Sequence, residues 1–240
     1  MPDPIASPIA SSAGFVIDPP PVPSVAVGGT GARFPVRRIF CVGRNYAAHA
    51  REMGRDPDRE APFFFMKPAD AVVDDGSDVP YPPETANLHY EMELVAAIGR
   101  GGRDIPVASA LDYVYGYTVG IDLTRRDLQL QAREQGRPWD WGKGFDNSAP
   151  CGRVRPVETV GHPAKGRIWL AVDGAVKQDA DLAELIWSVP EIVSIASRSM
   201  ALAPGDLIYT GTPAGVGKVE RGQVLTGGVD GVGEIRITIT

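Results

Sequence analysis

The chain is expected to fold as one α+β domain dominated by β structure, behind a proline-rich arm, and three observations predict this. Glycine (28) and proline (22) make about a fifth of the 240 residues, against roughly 12% on average, which favours turns over long helices. Short runs of β-branched and aromatic residues recur between those turns and outnumber the stretches with helical periodicity. No repeat with a period of roughly 20–50 residues is present, so solenoids and propellers are excluded. Hydrophobic residues at 43% and charged residues at 22% are ordinary globular usage and exclude wholesale disorder.

The elements follow in chain order. Residues 1–33 form the arm: 1–13 read as a mobile tail, and Pro19-Pro20-Pro21-Val22-Pro23 as extended backbone, because each proline biases its predecessor away from helix. Residues 24–27 have strand composition, and the arm is either a flexible leader or packs on the body. From Phe34 the texture changes, and 34–240 is read as a single catalytic domain. Strands are expected at 38–43, 63–66, 88–98, 118–121, 207–209 and 233–239. Helices are expected at 46–54, where a glycine ends it, and at 107–113, 126–135 and 189–200. Residues 168–172 and 175–178 form a hairpin, since Asp173-Gly174 suits a two-residue turn of type I′.

Charge and cysteine content narrow the function. Lys and Arg total 24 against 30 Asp and Glu, a net charge of -6, whereas phosphate backbones select clustered cations. Nucleic acid is therefore not an expected partner. No apolar run approaches the ~18 residues of a membrane span, and no positive charge precedes Arg33, so no basic signal-peptide region is seen. The expectation is a soluble cytoplasmic protein with no membrane partner. Cys41 and Cys151 are too few for a disulfide scaffold or a four-cysteine zinc site, and read as small buried hydrophobes of a reducing compartment.

Several constellations could carry chemistry. In Glu91-Met92-Glu93 the two carboxylates are i and i+2 on a strand, so they share a face and Met92 takes the other. Two carboxylates ~4 Å apart repel by roughly 4 kcal/mol at an effective dielectric of 20, so a proton, a basic partner or a cation must relieve them. Asp122 ends an apolar strand where an acid is out of pattern. It is read either as a ligand or, with Thr124 as the other candidate, as the cap of the helix beginning near Arg126. Three hard oxygen donors, Glu91, Glu93 and Asp122, suit Mg2+ or Mn2+ better than zinc. His89 is read as a supporting or structural histidine. His49 and Glu52, i and i+3 on a helix, are either a surface pair or a general base whose imidazole the carboxylate makes more basic. Lys143 stands between glycines and aromatics, where it either meets an anionic substrate or is a turn lysine. The run from Gly211 to Lys218 looks phosphate-binding, but five residues separate the first glycine from Gly217-Lys218 and Val219 follows, so the P-loop reading fails. Its glycines still allow close backbone approach to a small ligand, and Thr212 offers a hydroxyl.

Taken together, these segments resemble the fumarylacetoacetate hydrolase family. The matching stretches are Gly43-Arg44-Asn45-Tyr46 with His49 and Glu52, residues 64–68, 88–94, 116–126 and 138–145, Pro204-Gly205-Asp206 and residues 210–217, in order. The resemblance implies a mixed β-sandwich roll, a homodimer and a Mg2+ or Mn2+ cofactor. It implies Glu91, Glu93 and Asp122 as metal ligands, His49 with Glu52 as a water-activating dyad on a lid, and Lys143, Arg126, Gln129 and Thr212 as substrate contacts. Tyr90 departs from the second histidine of many relatives and is expected to face away from the metal. Residues 34–38, 125–129 and 141–146 look most like the bacterial members that act on fumarylpyruvate. The implied reaction cleaves a C–C bond of a 2,4-diketo acid, an acylpyruvate, with Lys143 stabilising an oxyanion. The alternatives are decarboxylation or isomerisation of a 2-keto acid such as oxaloacetate, and a non-catalytic binding homologue.

Overall fold

A computed structural model describes residues 14–47 and 60–240. The expected tail over 1–13 and most of the helix over 46–54, with His49 and Glu52, lie outside the described residues. The rest is a strand-dominated α+β fold of two packed sheets and two smaller ones.

The large sheet runs in the order Phe63–Lys67, Arg38–Gly43, Asp206–Tyr209, Met92–Ile98, Val114–Ile121, Ala149–Cys151 and Val72–Asp74, with Arg155–Pro156 added beside Val114–Ile121. Most pairs are antiparallel. Asp206–Tyr209 lies parallel to Arg38–Gly43, and Ala149–Cys151 parallel to Val72–Asp74. The second sheet is Ala175–Asp181, Arg167–Val172, Val224–Val229, Gly233–Ile239 and Asp78–Val79.

Strand Met92–Ile98 is buried on both faces, which explains its unbroken apolar run. Met92, Leu94, Ala96 and Ile98 face the main core, packed with Ile168, Leu170, Leu225 and Ile237 of the second sheet. Val95 and Ala97 face the opposite way, into a second core with Ile39, Cys41, Leu207, Tyr209 and Cys151. The period of two puts Glu93 on that second side, as the sequence predicts. Strand Ser24–Ala26 pairs with Arg33–Pro35 and contributes Val25 to the same second core.

Several expectations shift in detail. The expected strand 88–98 breaks at Glu91. Leu88–Tyr90 belongs to a three-stranded sheet with Thr124–Arg125 and Gly217–Lys218, and the chain crosses to the large sheet afterwards. The expected helix 107–113 is a 3-10 helix, Val107–Tyr113. The Asp173-Gly174 turn has positive φ at both residues, 50° and 82°, which a type I′ hairpin requires. Strand Val224–Val229 was not anticipated, because Gly227 and Gly228 interrupt its apolar pattern. Helix Val189–Ser199 matches its expected span, and the Glu191 carboxylate accepts from the Ser188 N–H at 2.9 Å at its start.

Candidate active site

The crossing from small to large sheet is where the acids converge. The backbone N–H of Asp122 donates to the Glu91 carbonyl at 2.8 Å, joining the end of strand Val114–Ile121 to the start of Met92–Ile98. One carboxylate oxygen from each of Glu91, Glu93 and Asp122 lies within 4.8 Å of the others, and all three residues are buried. Beside them is a cavity of about 20 Å³, bordered by Arg44, Arg126, Gln129, Lys143 and Thr212 among others. That is room for one small solvent molecule or ion. The donor set therefore fits a hard divalent cation with oxygen ligands.

Cations have been drawn against these acids. The Lys143 ammonium donates to Glu91 at 2.9 Å, to Asp122 at 2.6 Å and to the Thr124 hydroxyl at 2.7 Å, which uses its three protons. Burial disfavours its charge, but Asp122 and Glu91 outweigh burial and raise its pKa. The Arg126 guanidinium bridges Glu91 and the Gln129 side-chain oxygen. Lys67 is a third cation that the sequence reading passed over. Its ammonium is 2.7 Å from Asp122 Oδ1 and donates to the Leu123 and Lys143 carbonyls. It closes the strand Phe63–Lys67, where a lysine at the end of an aromatic run was the available signal.

Helix Arg126–Glu134 reaches this position by close packing. A Cβ on Gly142 would sit 2.9 Å from Gln129 Cα, Cβ and N, so only glycine lets the short helix Asp140–Lys143 lie against it. The expected helix cap is corrected here. The residue before the helix is Arg125 and no side chain caps it, because the Thr124 hydroxyl is taken by Lys143 and the Asp122 carboxylate by the two lysines.

From the other side, Gly211 donates its N–H to Glu93 Oε2 at 2.7 Å. It does so with φ of +100° and with a Cβ position only 2.7 Å from Asn45 Cβ, so a larger residue is strained twice over. Glu93 nevertheless titrates well above the ordinary carboxylate range, through burial first, then Asp122 and Glu91. The buried Gln178 amide, also unpredicted, donates to the Thr212 hydroxyl at 2.8 Å and accepts from the Met92 N–H at 2.9 Å. His89 keeps to a supporting place. It contacts Asn87 and Arg126, and burial followed by Arg126 lowers its pKa to about 4, so it is neutral at neutral pH. Among the described residues the donor set has no imidazole, which disfavours zinc.

The chain belongs to the fumarylacetoacetate hydrolase family: the family model described as fumarylacetoacetate (FAA) hydrolase C-terminal matches residues 38–240. Among solved structures, it is similar to the fumarylpyruvate hydrolase of Pseudomonas aeruginosa, in complex with Mn2+ and pyruvate. That similarity is 55% identity and a TM-score of 0.92, covering 94% of this chain and 99% of the other. It is 47% identical over 189 residues to the fumarylpyruvate hydrolase of a Ralstonia species, covering 78% of this chain and 98% of that protein. The mitochondrial oxaloacetate tautomerase of Arabidopsis thaliana is 41% identical over 202 residues, covering 84% and 90%. No helix among the described residues is long and apolar enough to cross a membrane.

Proposed function

We propose that the protein is a divalent-metal-dependent hydrolase that cleaves acylpyruvates, fumarylpyruvate above all, into pyruvate and a carboxylic acid. The observation that carries this reading is the buried triad of Glu91, Glu93 and Asp122 ringed by Lys67, Lys143 and Arg126. The relatives that act on fumarylpyruvate, one of them holding Mn2+ and pyruvate, support it. Glu91, Glu93 and Asp122 would hold the Mg2+ or Mn2+ ion, which would supply Lewis acidity and a template for a 2-keto acid.

The chain's own residues do the rest. Arg126, Gln129 and Thr212 orient the keto-acid end. Glu52 and His49 take a proton from water, whose oxygen attacks the C4 carbonyl carbon. Lys143 exchanges one of its present acceptors for the oxyanion that develops there. The C3–C4 bond then breaks, its electron pair forms the enolate of pyruvate, and a proton returns to C3. A catalytic domain over 34–240, a homodimer and a cytoplasmic setting in aromatic-compound breakdown belong to the same proposal.

The test is a panel of fumaryl-, maleyl- and acetylpyruvate assayed for pyruvate release with and without chelator. Release should stop in EDTA, return with Mn2+ or Mg2+, and be absent in Asp122→Ala. Full turnover in EDTA or in that variant would overturn the reading. The second reading is conversion of oxaloacetate: the Arabidopsis relative favours its tautomerisation, and the oxaloacetate decarboxylase of Dictyostelium discoideum its decarboxylation. It wins if oxaloacetate is converted while the acylpyruvates are left intact.

A further inference from the structure

The reaction site adjoins a second, larger space that the proposed chemistry does not use. A cavity of about 510 Å³ lies between strand Phe63–Lys67 and the turn at 137–140. It shares Arg44, Phe65, Trp139 and Lys143 with the small cavity at the carboxylates, so the two adjoin. A cavity of about 800 Å³ on the far side of helix Arg126–Glu134 borders this one at Arg137, Pro138 and Asp140 but shares none of the small cavity's residues. The acyl chain of a 2,4-diketo acid whose keto-acid end lies at the small cavity would pass Lys143 into the cavity of about 510 Å³.

We infer that this cavity is the acyl subsite and that Arg137 makes it select acyl chains ending in a carboxylate. The inference rests on the acylpyruvate reading above and names the substrate class within it. Two features carry it. The walls are flat: Phe63 and Trp139 meet edge to face at 5.1 Å and 88°, and Phe65 lies 5.8 Å from the same indole. Such walls favour a planar, conjugated chain over a branched one. Among the described residues the charges on the cavity wall are Arg44, Arg137 and Asp140, besides Lys143, whose protons are committed. Arg44 is half-buried at the junction, with its guanidinium 5.2 Å from the Phe63 ring centre. Arg137 borders this cavity and the 800 Å³ one beside it but not the small cavity, so it is set apart from the carboxylates. A guanidinium there matches a terminal carboxylate in charge and in fork geometry. The volume also exceeds what an acetyl group fills, since sites of this size enclose whole small ligands.

The experiment compares KM and kcat for fumarylpyruvate and acetylpyruvate, with Mn2+, in the wild type, Arg137→Gln and Asp140→Asn. Wild type should prefer the fumaryl substrate. Arg137→Gln should raise its KM about fivefold, the order expected for one solvent-exposed ion pair, with kcat held and with acetylpyruvate kinetics moved far less. Asp140→Asn removes a like charge and should lower the fumarylpyruvate KM, the opposite sign. Structural damage would move both substrates and both variants the same way, and that result overturns the subsite. So does a wild type that prefers acetylpyruvate. If the wild type hydrolyses neither substrate, the functional reading fails and the subsite falls with it. If it hydrolyses both but Arg137→Gln shifts them equally, only the subsite fails.

Discussion

Three buried carboxylates lie beside three buried cations at the site; Glu91 and Asp122 are ion-paired with them, and Glu93 is held by the Gly211 N–H. Lys67 is the plainest case. Replacing it by methionine leaves Asp122 Oδ1 without its only described cation, and that oxygen makes no hydrogen bond of its own. Lys67→Met should lower stability by about 3 kcal/mol, the order for removing one member of a buried pair, as read by urea unfolding. Glu93 gives a prediction with a pH sign. Its folded pKa lies above its unfolded one, through burial and then the charges of Asp122 and Glu91. The fold therefore binds that proton more tightly than the unfolded chain does. Metal-free protein loses stability as pH rises from the ordinary carboxylate range through the raised folded value. Glu93→Gln removes this loss. In EDTA at neutral pH it should melt above the wild type, while no longer gaining melting temperature from added Mn2+. A variant that melts lower in EDTA, or still answers to Mn2+, contradicts the assignment.

At the scale of elements, the site depends on how closely two helices and two strand ends approach. Gly142→Ala places a methyl group 2.9 Å from the Gln129 backbone, so the helices must part. The expected cost is about 2 kcal/mol from overpacking, and a loss of roughly 100-fold in kcat/KM, because Lys143 and Arg126 move apart. Thermal melts and steady-state kinetics on the same preparation separate the two effects. Much of this was legible in the sequence. Glu91 and Glu93 announced themselves by spacing and Asp122 by its misplacement in an apolar strand, because strand periodicity is local. Lys67 and Gln178 were not, since each looks unremarkable until strands distant in sequence bring it beside Asp122 or Thr212. The expected cap at Asp122 or Thr124 failed for the same reason: tertiary lysines claimed both side chains.

Across the whole molecule, residues 24–33 of the arm are part of the packing. Val25 is fully buried in the second core, and the arm is tied on by Gly28 and Val154, whose N–H groups donate to the Val154 and Ala26 carbonyls at 2.8 Å. Val25→Ala should cost about 2 kcal/mol through the cavity it leaves, measured by denaturant unfolding. An unchanged unfolding midpoint would mean that the arm contributes nothing to the body in solution. The charge balance also changes at this scale. The acidic excess of six in the chain does not carry into the site, where Lys67, Lys143 and Arg126 match the three acids in number and pair with Glu91 and Asp122, while Glu93 accepts from the Gly211 N–H. A divalent ion would then leave the centre positive, which suits a dianionic acylpyruvate.

The sequence by itself determined the class of fold, the family and the acids that would meet, because these follow from local periodicity, turn chemistry and the order of short motifs. The tertiary structure decided which cations answer the acids, where Thr212 is held and which cavity adjoins the site. Those are contacts between residues tens of positions apart, such as Lys67 with Asp122 and Gln178 with Thr212. No pattern within one segment encodes them, because they exist only once the two sheets have packed.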